Sequence, residues 1–283
     1  MVRGENEKKF NKIVKDIEQV KIQGAQNIAK KAVEAYKLSP NKRSKKKLLS
    51  LRPTEPLLKN VLNSLTTGGF EGLEENYKEI TTHFEETQEK INRLALRLIK
   101  NDDIIFTHCH SSTVTKALIH AKNHGKTFQV YVTETRPLYQ GRKTARELSK
   151  AKIKTTLFVD SAGMMALTKS QGTKKVKNFF IGADALLNKG IVNKIGSGML
   201  AQIAYKNKIP LYVFSDSWKY SKEKVKMEQR DFREIWNFFG KKSNSKIKIK
   251  NPAFEFVDKK YIHSIISEYG VLKYRDFLKR VNK

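Results

Sequence analysis

The chain has a single cysteine, Cys109, among its 283 residues. That scarcity excludes an internal disulfide and a zinc site built from several cysteines. Long apolar runs are also missing, since none approaches the roughly 20 residues that span a bilayer. Residues 1–17 are charged throughout and lack the apolar centre of a signal peptide. We therefore expect a globular, cytoplasmic protein that has no membrane-spanning segment.

Acidic residues are the other scarcity: 28 Asp and Glu stand against 57 Lys and Arg, for a formal net charge of +29. Such an excess attracts polyanions and speeds the approach of phosphorylated small molecules. The basic clusters at 42–47 and 241–250 could contact RNA, or they could form a solvated, lysine-rich surface. No arginine-rich repeat, RNA-binding aromatic motif or zinc knuckle is present, so RNA binding is not the favoured interpretation.

The first hundred residues have the periodicity of helices. Within 77–100, the apolar residues Ile80, Phe84 and Ile91, continued by Leu94 and Leu98, recur at three-, four- and seven-residue spacing and form one stripe. A similar pattern covers 6–37 with an interruption at Gly24, and further breaks fall at Pro40, Pro53 and the TTGG of 66–69. We predict a helical N-terminal domain over 1–100.

From residue 101 onward, short apolar runs alternate with amphipathic helices. This alternation predicts an α/β fold with a doubly wound, Rossmann-like parallel sheet over 101–283. After Asn251 we predict further helices, including one over 259–270 (KKYIHSIISEYG). The predicted strands are 103–109, 128–134, 155–161, 178–184 and 210–216, and the predicted helices between them are 112–125, 141–153, 162–172 and 196–208.

Several predicted strands end in polar side chains, and the carboxyl ends of parallel strands meet along one edge of the sheet. These side chains are Cys109 with Ser111, Glu134 with Arg136, Asp160 with Ser161, Asp184, and Asp216 with Ser217. Ligands bind at that edge in open parallel sheets, and helix N-termini pointing there favour anions. The topology therefore predicts a pocket for an anionic small molecule without fixing the reaction.

Two common cofactor motifs are absent. No G-x-G-x-x-G follows the first strand, and no G-x-x-x-x-G-K-[ST] occurs, so neither dinucleotide binding nor a P-loop is predicted. The GSG at 196–198 could cradle a phosphate through backbone N–H groups, or it could simply allow close packing of a helix on a strand.

Cys109 lies in THCHSST (107–113), and three interpretations are open. His108 and His110 would share one face of a strand with Cys109 on the other, which disfavours a metal site. A free cysteine is commonly an inert, buried residue. Its position before a helix that begins near Ser111, with Arg136 as a neighbouring cation, predicts instead a thiol whose pKa is lowered.

Four long motifs then appear in order: THCHSSTV (107–114), YVTETRPLYQGRKTARELS (131–149), FFIGADALLNKGIVNKIGSG (179–198) and VFSDSWKY (213–220). They resemble the family that joins the alpha, beta and delta subunits of translation initiation factor 2B with two sugar-phosphate isomerases. Those are methylthioribose-1-phosphate isomerase and archaeal ribose-1,5-bisphosphate isomerase, the second being the closer. Residues 52–62 resemble the family's RPT segment, 23–32 its RGAG-type segment, and 251–272 its C-terminal region.

The resemblance implies a helical domain followed by a Rossmann-like domain, assembled as homodimers or homohexamers. It also implies an aldose–ketose isomerase that takes a phosphorylated sugar, with ribose 1,5-bisphosphate to ribulose 1,5-bisphosphate as the favoured reaction. Cys109 would be the base at C2 and Asp184 the acid at the ring oxygen, through a phosphoenolate. Asp184 must then have a pKa raised by burial. From the residues alone, a turn or cap role after Gly182 is the favoured interpretation of Asp184, because Asp is common at such positions.

The same resemblance implies a set of substrate-binding residues, whose cations, amides and hydroxyls suit phosphate and sugar oxygens. Lys194 and Lys219 could instead be ordinary surface lysines, and Arg52 a packing or capping residue. No cofactor or metal is implied, and a nucleotide activator is conceivable. The implied substrate-binding residues are Gln23, Gly24, Ala25, Arg52, Ser111, Ser112, Thr113, Arg136, Gln140, Asn193, Lys194 and Lys219.

Two features depart from the isomerase pattern. Gln23 stands where the isomerases have arginine and Gln26 replaces a glycine, so a bidentate phosphate contact is lost. The loop between the GAD and NK motifs, within 184–194, is also about one residue shorter. These departures leave open a second function, a non-enzymatic regulatory subunit that resembles those of initiation factor 2B and binds a sugar phosphate or a nucleotide.

Overall fold

The computed structural model describes residues 2–67, 72–237 and 246–282. A helical region comes first and a mixed α/β region follows, as the periodicity predicted. The predicted break at 66–69 and the basic cluster at 241–250 lie partly outside the described residues. No helix in the described ranges is long and apolar enough to cross a membrane.

The helical region packs amphipathic helices around one apolar core. Gly24 separates the first two helices: it precedes α2 with φ of +85°, a conformation that glycine adopts without steric cost. Asn41 caps α3 by accepting a hydrogen bond from Ser44 N–H at 2.9 Å. The helices are α1 Val2–Glu18, α2 Ala25–Leu38, α3 Lys42–Ser50, α4 Pro56–Leu65 and α5 Leu73–Leu98.

Helix α5 joins the two halves of the molecule. Its Ile80 and Phe84 belong to the core of the helical region, whereas Ile91 and Ala95 pack into the core on one face of the sheet. The predicted apolar stripe is therefore shared between two cores. The division into domains at residue 100 stays a prediction.

A seven-stranded sheet forms the centre of the α/β region, in the order β10-β9-β7-β4-β1-β2-β3. All neighbouring strands are parallel except the edge pair β9–β10. The chain winds outward from β1 to β3 and then returns to β4 on the other side of β1, so the topological switch point lies between β1 and β4. The strands are β1 Asp103–Thr107, β2 Phe128–Thr133, β3 Lys154–Phe158, β4 Asn178–Ile181, β7 Leu211–Phe214, β9 Ser264–Ser267 and β10 Gly270–Leu272.

Helices cover both faces of this sheet, which confirms the predicted doubly wound fold. Phe106 and Phe179 belong to the core on one face, and Phe180 and Phe214 to the core on the other. Strand β3 is an edge strand and remains largely exposed. The helices are α6 Ser112–Asn123, α7 Gln140–Lys150, α8 Gly163–Leu167, α9 Ser197–Lys206 and α10 Tyr274–Val281.

The helix predicted over 259–270 is wrong. A short 3-10 turn, Lys259–Tyr261, leads into β9 and β10, because the β-branched Ile265 and Ile266 are fully buried beside β7. Three other strands were also missed and form a separate antiparallel sheet. They are β5 Ala185–Leu187, β6 Gly190–Lys194 and β8 Phe254–Asp258.

Candidate active site

A cleft opens where β1 and β4 diverge, at the carboxyl ends of the strands. This is the switch point at which open parallel sheets bind ligands. Cys109 follows β1 and Asp184 follows β4, and both line the cleft. The predicted residues that also line it are Gln23, Gly24, Ala25, Arg52, Ser111, Ser112, Thr113, Gln140, Asn193, Lys194 and Lys219. Arg136 does not.

Cys109 lies beyond the strand, not within it, and adopts φ of +69°, a left-handed conformation that is uncommon for a non-glycine residue. Its backbone is held on both sides: its N–H donates to Thr135 Oγ1 at 3.0 Å, and its carbonyl accepts from Thr144 Oγ1 at 3.0 Å. Such strain persists where the surroundings fix it, and it is common at functional sites. The two threonines therefore position the thiol.

The flanking histidines have structural partners. Both ring nitrogens of buried His108 are engaged, Nδ1 with Thr133 Oγ1 and Nε2 with the Ile195 carbonyl at 2.9 Å. His110 Nδ1 lies 3.0 Å from Thr144 Oγ1. Burial, reinforced by Lys143, lowers the pKa of His110 to about 4. Neither ring is placed to ligate a metal together with Cys109.

The expected lowering of the Cys109 pKa is wrong. Burial raises the pKa of the thiol to about 11, opposed by the charge of Lys194 and by the backbone N–H of His110. Arg136 was the expected cation, but its side chain is exposed, contacts the Tyr139 hydroxyl and lies against that ring. Lys194 is the cation that acts on the thiol.

Asp184 stands at the start of a hairpin, in the segment that the sequence suggested was a loop. Its N–H donates to the Val192 carbonyl at 2.8 Å, next to the antiparallel pair β5–β6. Its carboxylate has no hydrogen bond to the residues that the structure describes, so it is not a cap. Burial raises its pKa, and Lys219 and Lys194 oppose the rise. A raised pKa is what a proton donor requires.

Two glutamates in the cleft wall were missed by sequence reasoning. Burial and the charge of Asp184 raise the pKa of Glu55 to about 8, against Arg52 and Lys219. One oxygen of Glu55 and one of Glu228 are buried without a hydrogen-bond partner among the described residues. The position of Glu55 within the RPT segment, 52–62, was the only signal available in the sequence.

The basic side chains of the cleft differ in the protein contacts that hold them in place. Arg52 is 7% exposed and fixed, since its guanidinium donates to the Ile17 carbonyl at 2.8 Å and lies 3.4 Å from Glu228. Lys219 Nζ donates to the Ala183 carbonyl at 2.6 Å. Lys194 lies over the Phe254 ring. Arg52, Lys194 and Lys219 are all buried, so none is an ordinary surface residue.

Two helix N-termini face the cleft. Ser111 caps α6, close to where the sequence predicted that helix to begin. Gly24 precedes α2 without a side-chain cap, so backbone N–H groups at the start of α2 are available to an anion. Gln23 donates to the Val20 carbonyl at 2.9 Å. Gln140 keeps a buried amide oxygen that has no partner among the described residues. Asn193 donates to Ser197 Oγ at 2.9 Å.

Two other polar strand ends make contacts that stabilise the fold. Glu134 forms an ion pair with Arg142, and Asp160 accepts from the backbone N–H groups of Thr135 and Arg136. The GSG segment does not line the cleft, and the Gly198 N–H is already bound by Glu255 at 2.7 Å. Packing explains this segment better than a phosphate site does.

Residues 9–274 match the Initiation factor 2 subunit family. The chain belongs to this family. It is 31% identical over 280 residues to the ribose 1,5-bisphosphate isomerase of Archaeoglobus fulgidus, covering 90% of this chain and 87% of that protein. It is 32% identical over 254 residues to the methylthioribose-1-phosphate isomerase of Exiguobacterium sibiricum, covering 81% and 72%.

A solved structure agrees with the fold. The translation initiation factor eIF-2B of Pyrococcus horikoshii superposes with a TM-score of 0.82 at 26% identity, covering 95% of this chain and 98% of that one. The resemblance drawn from the motifs is confirmed. Proteins similar to this chain are thus named both as sugar-phosphate isomerases and as translation factors.

Proposed function

We propose that this protein is an aldose–ketose isomerase of a phosphorylated pentose, converting ribose 1,5-bisphosphate to ribulose 1,5-bisphosphate. The observation that carries the proposal is the meeting of Cys109 and Asp184 in one cleft. Buried cations and two helix N-termini in that cleft suit a phosphorylated ligand. The names of the relatives in Archaeoglobus and Exiguobacterium point the same way.

The phosphate on the anomeric oxygen prevents ordinary ring opening, so two groups must act together. Cys109, as thiolate, takes the C2 hydrogen while the C2–H electrons form a C1=C2 double bond. The ring C1–O bond breaks, and its oxygen takes a proton from Asp184. In the second half the C2 hydroxyl returns a proton to Asp184 and Cys109 protonates C1. Both residues recover their starting state and the product is the ketose.

The raised pKa values set a condition on this cycle. Burial holds Asp184 toward the protonated form, as an acid requires, but it also holds Cys109 as the thiol. Only the minor population in which the thiolate and the protonated carboxyl coexist reacts. Lys194 acts on both groups: its charge lowers the pKa of Cys109, which favours the thiolate, and also lowers the pKa of Asp184, which opposes the protonated carboxyl.

Direct turnover tests the proposal. Ribose 1,5-bisphosphate, ribose 1-phosphate and methylthioribose 1-phosphate are each incubated with the protein, and the ketose is followed by ¹³C and ³¹P NMR. The expected result is ribulose 1,5-bisphosphate from the first. Absence of a ketose from all three contradicts an isomerase.

Gln23→Arg sharpens the substrate test. Restoring a guanidinium at this position adds a bidentate phosphate contact and should lower the KM for ribose 1,5-bisphosphate about tenfold. Gln19→Arg is the matched control, since Gln19 is exposed and outside the cleft and gains the same charge. An equal effect of both variants would assign the change to net charge alone.

A second candidate is a regulatory subunit that binds a sugar phosphate or nucleotide without converting it. It is favoured by Gln23 and by the contacts that hold Arg52 on Ile17 and Glu228. Saturable binding of a phosphosugar in calorimetry, without turnover, would support this function. A nucleotide activator stays a prediction.

We also propose that the chain forms homo-oligomers. Large apolar side chains are exposed on the end of β3, on α8 and α9, and on β8; α8 contacts α9, and α9 contacts β8. A second copy of this chain would cover such a surface. The residues of this apolar surface are Leu157, Val159, Met164, Met199, Tyr205 and Phe256, which are 43–60% exposed.

A further inference from the structure

Outside the cleft, His83, Asp216 and Glu268 meet where the helical region contacts the sheet. His83 lies on α5, Asp216 follows β7, and Glu268 connects β9 to β10. One potential ligand atom from each residue lies within 4.8 Å of the others. None of the three lines the cleft. His83 and Asp216 are 133 residues apart in the chain. Asp216 and Glu268 are 52 apart (268 − 216), so the sequence alone does not reveal the cluster.

Each carboxylate in this cluster has one satisfied and one unsatisfied oxygen. Asp216, 1% exposed, accepts from Trp218 N–H through Oδ1 at 2.8 Å, while Oδ2 is buried without a partner among the described residues. Glu268 accepts from Ser217 N–H at 3.2 Å, and its Oε1 is likewise buried and unpartnered. Buried carboxylate oxygens of this kind are usually satisfied by a hydrogen-bond donor, a bound proton or a metal ion.

The imidazole of His83 is held in place for such a partner. It stacks on Trp218 with ring centroids 3.9 Å apart and planes 9° apart, and its Nε2 lies 3.0 Å from Asp216 Oδ1. One imidazole and two carboxylates form a donor set that suits Mn²⁺, Fe²⁺ or Zn²⁺. Mg²⁺ and Ca²⁺ prefer oxygen ligands alone. His83 is 20% exposed, which leaves a side open for water ligands.

We propose that His83, Asp216 and Glu268 bind a divalent first-row transition-metal ion, with Mn²⁺ as the probe of choice. The ion would tie α5 to the 3-10 turn Ser217–Lys219, which Asp216 caps. Lys219 in turn donates to the carbonyl of Ala183, the residue before Asp184. The site would therefore stabilise the junction behind the cleft and take no part in proton transfer.

Binding and stability are both measured on the full chain after treatment with a chelator. Mn²⁺ is titrated while the EPR signal of the free ion is followed, and thermal unfolding is recorded with and without Mn²⁺. We expect one bound ion per chain and a rise in Tm of about 5 °C at 100 times the Kd. Asp216→Asn and Glu268→Gln each keep an acceptor for the backbone N–H, and each should lose both responses.

His120 and His124 provide the matched control, because their rings lie 4.0 Å apart at the C-terminal end of α6 and could bind a metal by themselves. The double variant His120→Asn/His124→Asn should bind Mn²⁺ as the wild type does. The proposal is overturned if the wild type binds no Mn²⁺ at millimolar concentration. It is also overturned if Glu268→Gln and Asp216→Asn bind unchanged, or if the histidine control loses binding. A protonated His83 would then be the positive partner.

Discussion

The thiol of Cys109 and the carboxyl of Asp184 line the same cleft, and burial raises the pKa of both. At the residue scale, these two groups carry the proposed chemistry. A desolvated thiol is a strong base once it is deprotonated, and a desolvated carboxyl holds its proton to higher pH. Lys194 limits both shifts, and Lys219 also limits that of Asp184.

The rate of alkylation reports the ionised fraction of the Cys109 thiol, because Cys109 is the only cysteine. With a pKa of about 11, about one thiol in a thousand is ionised at pH 8. We expect iodoacetamide to react at least 100-fold more slowly than with the urea-unfolded chain, and the rate to rise tenfold per pH unit from 7 to 9. A fast, pH-independent reaction would instead indicate a lowered pKa.

The pH profile of kcat/KM follows from the two raised pKa values. Below the pKa of Asp184 both groups are protonated, so the rate should rise tenfold per pH unit as the thiolate population grows. Between that pKa and about 11 the gain in thiolate cancels the loss of protonated Asp184, and the profile should be flat. A steep fall between pH 7 and 9, with stable protein, would contradict these assignments.

At the element scale, the site depends on close approach between strand ends and helix starts. A Cβ at Gly141, in the first turn of α7, would lie 1.7 Å from the Thr133 carbonyl oxygen of β2. The neighbouring Gln140 lines the cleft at this point. A backbone atom cannot move aside as a flexible side chain does, so only glycine fits.

Gly141→Ala should therefore reduce the free energy of unfolding by about 3 kcal/mol, measured by urea denaturation. Gly4→Ala serves as the control, since nothing lies within 4 Å of a Cβ at that exposed helical position. Alanine there should be neutral or stabilising by about 0.5–1 kcal/mol. Equal unfolding midpoints for the two variants would refute the predicted clash.

The sequence predicted the elements whose signals are local. Buried runs such as that of β1, the start of α6 near Ser111 and the break at Gly24 are encoded within a few residues. Strand β9 was misread as a helix because a short apolar run has no decisive period until its neighbour β7 is known. The hairpin β5–β6 was misread as a loop, since it pairs with β8, 60 residues further along.

The sequence predicted which residues line the candidate site better than it predicted their pKa shifts. Strand ends located Cys109 and Asp184, but the direction of the thiol's pKa shift depends on burial, which outweighs the charge of Lys194 and the backbone N–H of His110. Arg136 was expected to be the cation near the thiol, but its side chain lies against the ring of Tyr139, a contact that the sequence did not reveal. Glu55 and Glu228 reach the cleft from segments that lie far apart in the chain.

At the scale of the whole molecule, the exposed apolar surface between β3 and β8 predicts self-association. Met164 is 60% exposed on this surface, and Met164→Glu should shift sedimentation velocity from an oligomer to a monomer of about 32.6 kDa. Ile235→Glu is the control, because Ile235 is 41% exposed and outside this surface. A monomeric wild type would contradict the proposal of oligomers, and an unchanged Met164→Glu oligomer would exclude this surface.

The central claim is that Cys109 and Asp184 act as one unit on one phosphosugar. It is tested most directly by kcat/KM on ribose 1,5-bisphosphate for Cys109→Ser, Asp184→Asn and the double variant, with substrate binding measured by calorimetry. Each single variant should lose at least about 10²-fold in rate while still binding, and the double variant should lose far less than the product of the two losses. Wild-type turnover by either single variant would contradict the account.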